Sequence, residues 1–121
     1  MPNFVVDFYR MEDGTKPVGS FIRGLELKMK AKVVANLHIL EEYGYMAREP
    51  LSKEIEDGIF ELRTIEGNII VRILYFFDKD RVIIATNGFA KKKQKTPKSD
   101  IDLAKKRRTD YHQRKGAGTY E

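Results

Sequence analysis

The sequence predicts an α+β domain: an antiparallel sheet of about four strands with helices packed on one side. Three observations predict it. Apolar residues recur at helical spacing from Phe21 to Leu40, three β-rich runs follow one another between Gly58 and Phe89 with short polar spacers, and the pattern then changes abruptly to lysines and a last helical segment. The chain has 121 residues, 41% of them hydrophobic, which is the size and composition of one compact domain with a real core. Residues 1–115 form that domain in this reading, and 116–121 a flexible C-terminal tail.

The elements follow in order. Asn3 to Tyr9 is rich in β-branched and aromatic residues and gives a first strand, which the Glu12-Asp13-Gly14-Thr15 cluster ends. Thr15-Lys16-Pro17 starts a helix, because proline at the first helical position lacks only an N–H that would have no partner there. Phe21, Leu25, Met29, Val33, Leu37 and Leu40 make one apolar stripe, with a break near Gly24 and a stop at Gly44. A linker with Pro50 leads to strands over Gly58 to Thr64, Asn68 to Phe77 and Arg81 to Phe89, and the spacers Glu66-Gly67 and Asp78-Lys79-Asp80 imply an antiparallel meander. The last helix, Ile101 to Arg114, has few apolar residues: Ile101, Leu103, Ala104 and Tyr111.

Composition excludes several classes of function. There is no cysteine, so a disulfide framework and a thiolate metal site are ruled out, and a reducing compartment is the natural setting. No segment approaches the roughly 20 apolar residues that cross a bilayer, so a soluble cytoplasmic protein without a membrane partner is expected. The net charge is +5, and its distribution is uneven. Lys91 to Lys115 holds eleven cations against three acids, or +8, which leaves −3 for the rest of the chain. Charge so concentrated points to a polyanionic partner, although a solvated helix face gives the same pattern.

Period-two alternation in the strand from Gly58 puts Phe60 and Leu62 on one face and Ile59, Glu61 and Arg63 on the other. The apolar pair belongs against the helices, which leaves Glu61 and Arg63 on the open face. Arg72 stands alone among Ile69, Ile70, Val71, Ile73 and Leu74; an even loop around Glu66-Gly67-Asn68 places it on the same face, and an odd loop turns it inward. Two readings of Arg72 stay open. In one it is the cross-strand partner of Glu61, worth about 0.2 to 1 kcal/mol. In the other it joins Arg63 and the Lys91–Lys95 run in a cluster of cations, and self-repelling cations that converge await an anion.

RNA suits such a site because it supplies its own nucleophile, the 2′-hydroxyl, which needs only a base and cations around the phosphorane. Arginine fits the second task through its planar fork. Glu61 is one candidate base and a lysine crowded by other cations is another. Lys93, Lys95, Lys98, Lys105, Lys106, Arg107 and Arg108 are spread along the chain and suit looser docking to phosphates. His38 reads as a structural or exposed helix residue, and His112 sits beside Tyr111 without a spacing that singles it out. Two distant histidines make no metal pattern, and no metal or other cofactor is expected.

Lys53, then Gly58-Ile59-Phe60-Glu61-Leu62-Arg63, then Val71-Arg72-Ile73, then Asn87-Gly88-Phe89-Ala90-Lys91-Lys92, then Thr96-Pro97 with Ile101, Ala104 and Arg107 form a distributed pattern. With Lys16-Pro17-Val18 and Phe21 upstream, it resembles the RelE/ParE toxin superfamily of bacterial toxin-antitoxin modules, in particular its HigB-like, phage-derived branch. The resemblance implies a toxin that enters the ribosomal decoding site and cleaves messenger RNA there, held inactive by a co-encoded HigA-like helix-turn-helix antitoxin. Carried over by position, Arg63, Arg72 and Lys91 or Lys92 hold the phosphate, and Phe89 packs behind them. The chain departs from RelE itself at Ile59 and Glu61, where RelE is lysine-rich, and at Ile101, where RelE has a tyrosine. ParE-like relatives share the scaffold and act on DNA gyrase by binding alone, so a gyrase-inhibiting toxin is the alternative.

Overall fold

The run from Ile69 to Phe77 is apolar at every position except Arg72, and a strand of that kind needs cover on both faces. The structure, a computed structural model that describes residues 3–92 and 95–121, supplies it. The chain runs β1 (Val5–Phe8), α1 (Pro17–Arg23), α2 (Leu27–Tyr43), β2 (Ser52–Glu56), β3 (Ile59–Glu66), β4 (Ile69–Asp78), β5 (Val82–Lys91) and α3 (Lys98–Ala117). β4 is the middle strand of a five-stranded sheet in the order β1-β5-β4-β3-β2. On one face Leu62, Val71, Ile73, Tyr75 and Ile83 pack against Val18 and Ile22 of α1 and Met29, Val33, Leu37 and Leu40 of α2. On the other face Ile59, Leu74, Phe76 and Ile84 pack against Ala104 and Tyr111 of α3. Each large side chain so buried contributes about 1.5 to 3 kcal/mol relative to exposure.

The architecture is α+β as the sequence predicts, with three corrections. The sheet has five strands rather than about four, because Ser52–Glu56, read as linker, is an antiparallel edge strand on β3. It is mixed rather than antiparallel, because β1 lies parallel to β5. The helices do not share one side: α3 covers the face opposite α1 and α2. Few apolar residues suffice for α3 because it lies over the middle of the sheet, where Ala104 permits close approach and Tyr111 fills the remaining space.

Local chemistry explains the joints. Lys16 is the N-cap of α1 and Pro17 its first residue, and the break expected near Gly24 ends that helix. α1 rests directly on β5: a Cβ at Gly88 would lie 2.7 Å from Cδ2 of Phe21. Gly44 ends α2 with a positive φ of 49°, and a Cβ there would enter the Phe4 ring. The outward N–H of Val6 on edge strand β1 donates to the Glu41 carboxylate at 2.9 Å, which blunts that edge. In β5, Asn87 pairs with Leu74 and Ala85 with Tyr75, so Thr86 is the extra residue of a bulge. At the C-terminus the helix passes residue 115, Gly118 closes it in the left-handed region, and the Tyr120 hydroxyl accepts the Arg10 backbone N–H at 2.8 Å.

Candidate functional site

The β3–β4 turn is even. Glu66 pairs with Ile69 and Arg63 with Arg72, so Arg72 stands on the face of Glu61 and Arg63. That face is roofed over β4 and β5 by α3, and the uncovered part over β2, β3 and β4 forms a cleft of about 580 Å³. Its walls are Lys53, Glu54, Arg63 and Lys95, and its floor includes Ile70, Ile101, Glu61 and Arg72, with Thr96 at the mouth of the loop into α3.

Glu61 and Arg72 are not on an open surface. Glu61 is 0% exposed and Arg72 3%, whereas the Arg63 side chain keeps 24% of its surface in solvent. Glu61 joins the two arginines: its Oε2 accepts from Arg63 Nε at 2.8 Å and its Oε1 from Arg72 Nη1 at 3.3 Å. The Thr96 hydroxyl also donates to Glu61 Oε1 and accepts from Arg72 Nη1 at 3.3 Å. Arg72 Nε has no partner among the described residues. Both open readings of Arg72 therefore have a basis in the geometry, since it pairs with Glu61 and lies beside other cations.

Lys91, directly across from Ile70, sits 5.8 Å from the Phe89 ring centroid and is exposed, as is Lys92 at the strand end. Neither lines the cleft. Lys93 falls outside the described residues. Lys95 lines the cleft. Lys98 pairs with Asp102 at 3.1 Å, and that hydrogen bond raises its pKa. Lys105 pairs with Glu56, Arg108 with Asp57 at 3.0 Å, and Arg107 donates to the Thr86 carbonyl at 2.9 Å. Burial lowers the Arg107 pKa, though the group keeps its charge. Lys106 is exposed. Thus three of the five helix cations read as docking residues are joined to β2, the β2–β3 turn or the β5 bulge.

The histidines stay away from the cleft: His38 lies 3.4 Å from Glu41, and His112 packs against Phe76. Among the described residues no three His, Asp or Glu side chains gather in a way that holds a metal ion, and no helix is long and apolar enough to cross a membrane. Lys53 and Thr96 were absent from the site residues chosen by sequence reasoning. The signal for Lys53 was the alternation of Ser52-Lys53-Glu54-Ile55-Glu56, which puts Lys53 and Ile55 on the cleft side and Lys53 across from Glu61. For Thr96 the signal was its place in the Thr96-Pro97 step of the family-like pattern, where Pro97 caps α3.

The family model described as phage-derived protein Gp49-like (DUF891) matches residues 20–109. That span runs from α1 into α3 and contains every residue of the cleft. No curated protein matches the chain.

Proposed function

Because the chain belongs to the phage-derived Gp49-like family, a family of RelE/HigB-type toxins, we propose that it acts as a ribosome-dependent messenger RNA endoribonuclease, the toxin of a toxin-antitoxin module. The family is associated with the toxins of toxin-antitoxin modules. The observation that carries the nuclease reading is the cleft in which Lys53, Arg63 and Lys95 surround a floor containing Arg72. A phosphodiester entering there meets several cations at once in a partly desolvated setting, where charge stabilisation is strongest. Its 2′-oxygen bonds to phosphorus as its proton passes to a base, the P–O5′ bond breaks, and the 5′-oxygen takes up a proton. The products are a 2′,3′-cyclic phosphate and a 5′-hydroxyl. The base is one of the cleft lysines, Lys53 or Lys95, because the lone pairs of Glu61 are engaged by Arg63, Arg72 and Thr96.

In this reading the partner is a HigA-like helix-turn-helix antitoxin, the setting is the cytoplasm, and the +8 segment adds salt-dependent attraction to the ribosome. The test is induced expression with pulse labelling, together with primer extension on messenger RNA bound to programmed ribosomes. Protein synthesis should fall before DNA synthesis, and cuts should appear only on ribosome-bound message. If DNA synthesis stops first and gyrase-linked breaks accumulate while message stays whole, the nuclease reading is refuted in favour of gyrase inhibition.

A further inference from the structure

Arg63 and Arg72 are register partners on β3 and β4, and like charges placed directly opposite repel. Glu61, two residues before Arg63 on the same face, lies between them with one carboxylate oxygen on each. We infer that Arg72 and Glu61 are positioning residues that act through Arg63, and that Arg63 alone of the two arginines meets phosphate. The inference rests on the reading of the cleft as the site where an RNA phosphate binds.

Three features carry it. The first is burial. Glu61 and Arg72 lie on the cleft floor with 0% and 3% of their side-chain surface in solvent, while Arg63 keeps 24%. A phosphate entering the cleft finds far more of the Arg63 side chain within reach than of Arg72, whose Nη1 is already engaged by Glu61 and Thr96.

The second is the division of donors. Arg63 uses Nε on Glu61, and its two Nη groups make no hydrogen bond among the described residues. A guanidinium held by Nε has its plane fixed, and its Nη pair remains as the end-on fork that matches two phosphate oxygens. Arg72 instead divides Nη1 between Glu61 and Thr96 and leaves Nε buried without a partner. A buried charge with an unsatisfied donor destabilises a fold. The two neighbours it does reach are Glu61, which orients Arg63, and Thr96, which also bonds to Glu61.

The third is charge. Two arginines and one carboxylate sum to +1, so the trio presents a single positive charge through the exposed member. Replacing Glu61 with glutamine keeps its shape and raises the local charge by one unit. Anion binding should hold or tighten, while Arg63 loses its ionic anchor and cleavage slows. A merely structural defect weakens both.

The test combines variants with nitrogen resonances of the arginine side chains. In the unaltered protein the Arg63 Nε–H should exchange slowly. Titration with inorganic phosphate and with a non-cleavable 2′-deoxy oligonucleotide should shift the Arg63 Nη signals and leave those of Arg72 in place. Glu61→Gln should leave probe affinity the same or tighter and lower single-turnover cleavage on ribosomes on the order of 100-fold, the scale of a small misplacement of a reacting group. Arg72→Lys should recover part of the rate lost in Arg72→Gln. In an Arg63→Ala background, Glu61→Gln should cost nothing further, because its effect passes through the missing side chain. The inference is overturned if Glu61→Gln costs as much in that background as in the unaltered protein, or if phosphate shifts Arg72 as it shifts Arg63. The phosphate titration needs neither a variant nor activity. If the unaltered protein does not cleave, the nuclease reading falls, and the titration still decides the roles of the two arginines.

Discussion

Arg107 offers a sharp separation of binding from stability. By charge it belongs with Lys105, Lys106 and Arg108 as a docking residue, but its Nη1 donates to the carbonyl of Thr86, the extra residue of the β5 bulge, at 2.9 Å. Thr86 is fully buried, so that carbonyl has little water to turn to. Arg107→Ala removes this charged donor from a buried acceptor, at a cost of about 1 to 3 kcal/mol. It also removes a guanidinium 5.7 Å from the Tyr9 ring centroid, worth about 0.5 to 1 kcal/mol at a partly exposed site. A loss of about 2 kcal/mol, divided by a urea slope of about 2 kcal/mol/M, moves the unfolding midpoint down by roughly 1 M. Lys106→Ala, at an exposed position on the same turn, should change stability by less than about 0.5 kcal/mol. It should instead reduce the slope of log affinity for RNA against log salt by about 0.7 to 0.9. Urea denaturation and salt-dependent binding to an RNA oligomer measure the two quantities on the same preparations. If Arg107→Ala keeps its urea midpoint and flattens the salt slope as Lys106→Ala does, the assignment of Arg107 to the bulge is wrong.

Two further outcomes follow from packing and titration. Gly88→Ala should destabilise the protein by about 1 to 3 kcal/mol, since its Cβ would stand 2.7 Å from Phe21 Cδ2 and push α1 off β5; a melting temperature equal to that of the unaltered protein would falsify the contact. The Tyr9 hydroxyl, followed by Arg114, holds the Asp110 carboxyl below the usual carboxylate range. Its stabilising effect is therefore complete above the unfolded value, about 3.9, and is lost as pH falls through the lower folded value. Relative to Asp110→Asn, the unaltered protein should lose its advantage in unfolding free energy on going from about pH 5 to about pH 2. An advantage that stays constant across that window would show that Asp110 gains nothing from Tyr9 and Arg114.

Local periodicity carried much of the fold. The β3–β4–β5 meander, the break between α1 and α2, the proline-led start of α1 and the shared face of Glu61 and Arg63 all follow from steps of two or of three and four residues, which neighbouring residues set by themselves. The family resemblance was likewise legible in the ordered run from Lys53 to Arg107. Other features rest on pairings between distant segments. β2 was missed because an edge strand needs no apolar run, and Ser52-Lys53-Glu54-Ile55-Glu56 reads as polar linker until β3 lies beside it. The parallel pairing of β1 with β5 joins segments more than 70 residues apart, and no local signal selects the direction.

For the candidate site, the sequence by itself determined which residue types meet on one face: Glu61 and Arg63 by alternation, and Arg72 once the turn between them is even. Tertiary structure decided how much water each one sees and which donors remain free. α3 crossed to that face and, with the loop through Thr96, left Glu61 and Arg72 almost without solvent on the cleft floor and Arg63 partly exposed at its wall. The same crossing carried Lys105, Arg107 and Arg108 to Glu56, Thr86 and Asp57. A sequence records charge, but burial and partnership depend on which elements pack together, and those two properties separate a cation that grips a ligand from one that holds the fold.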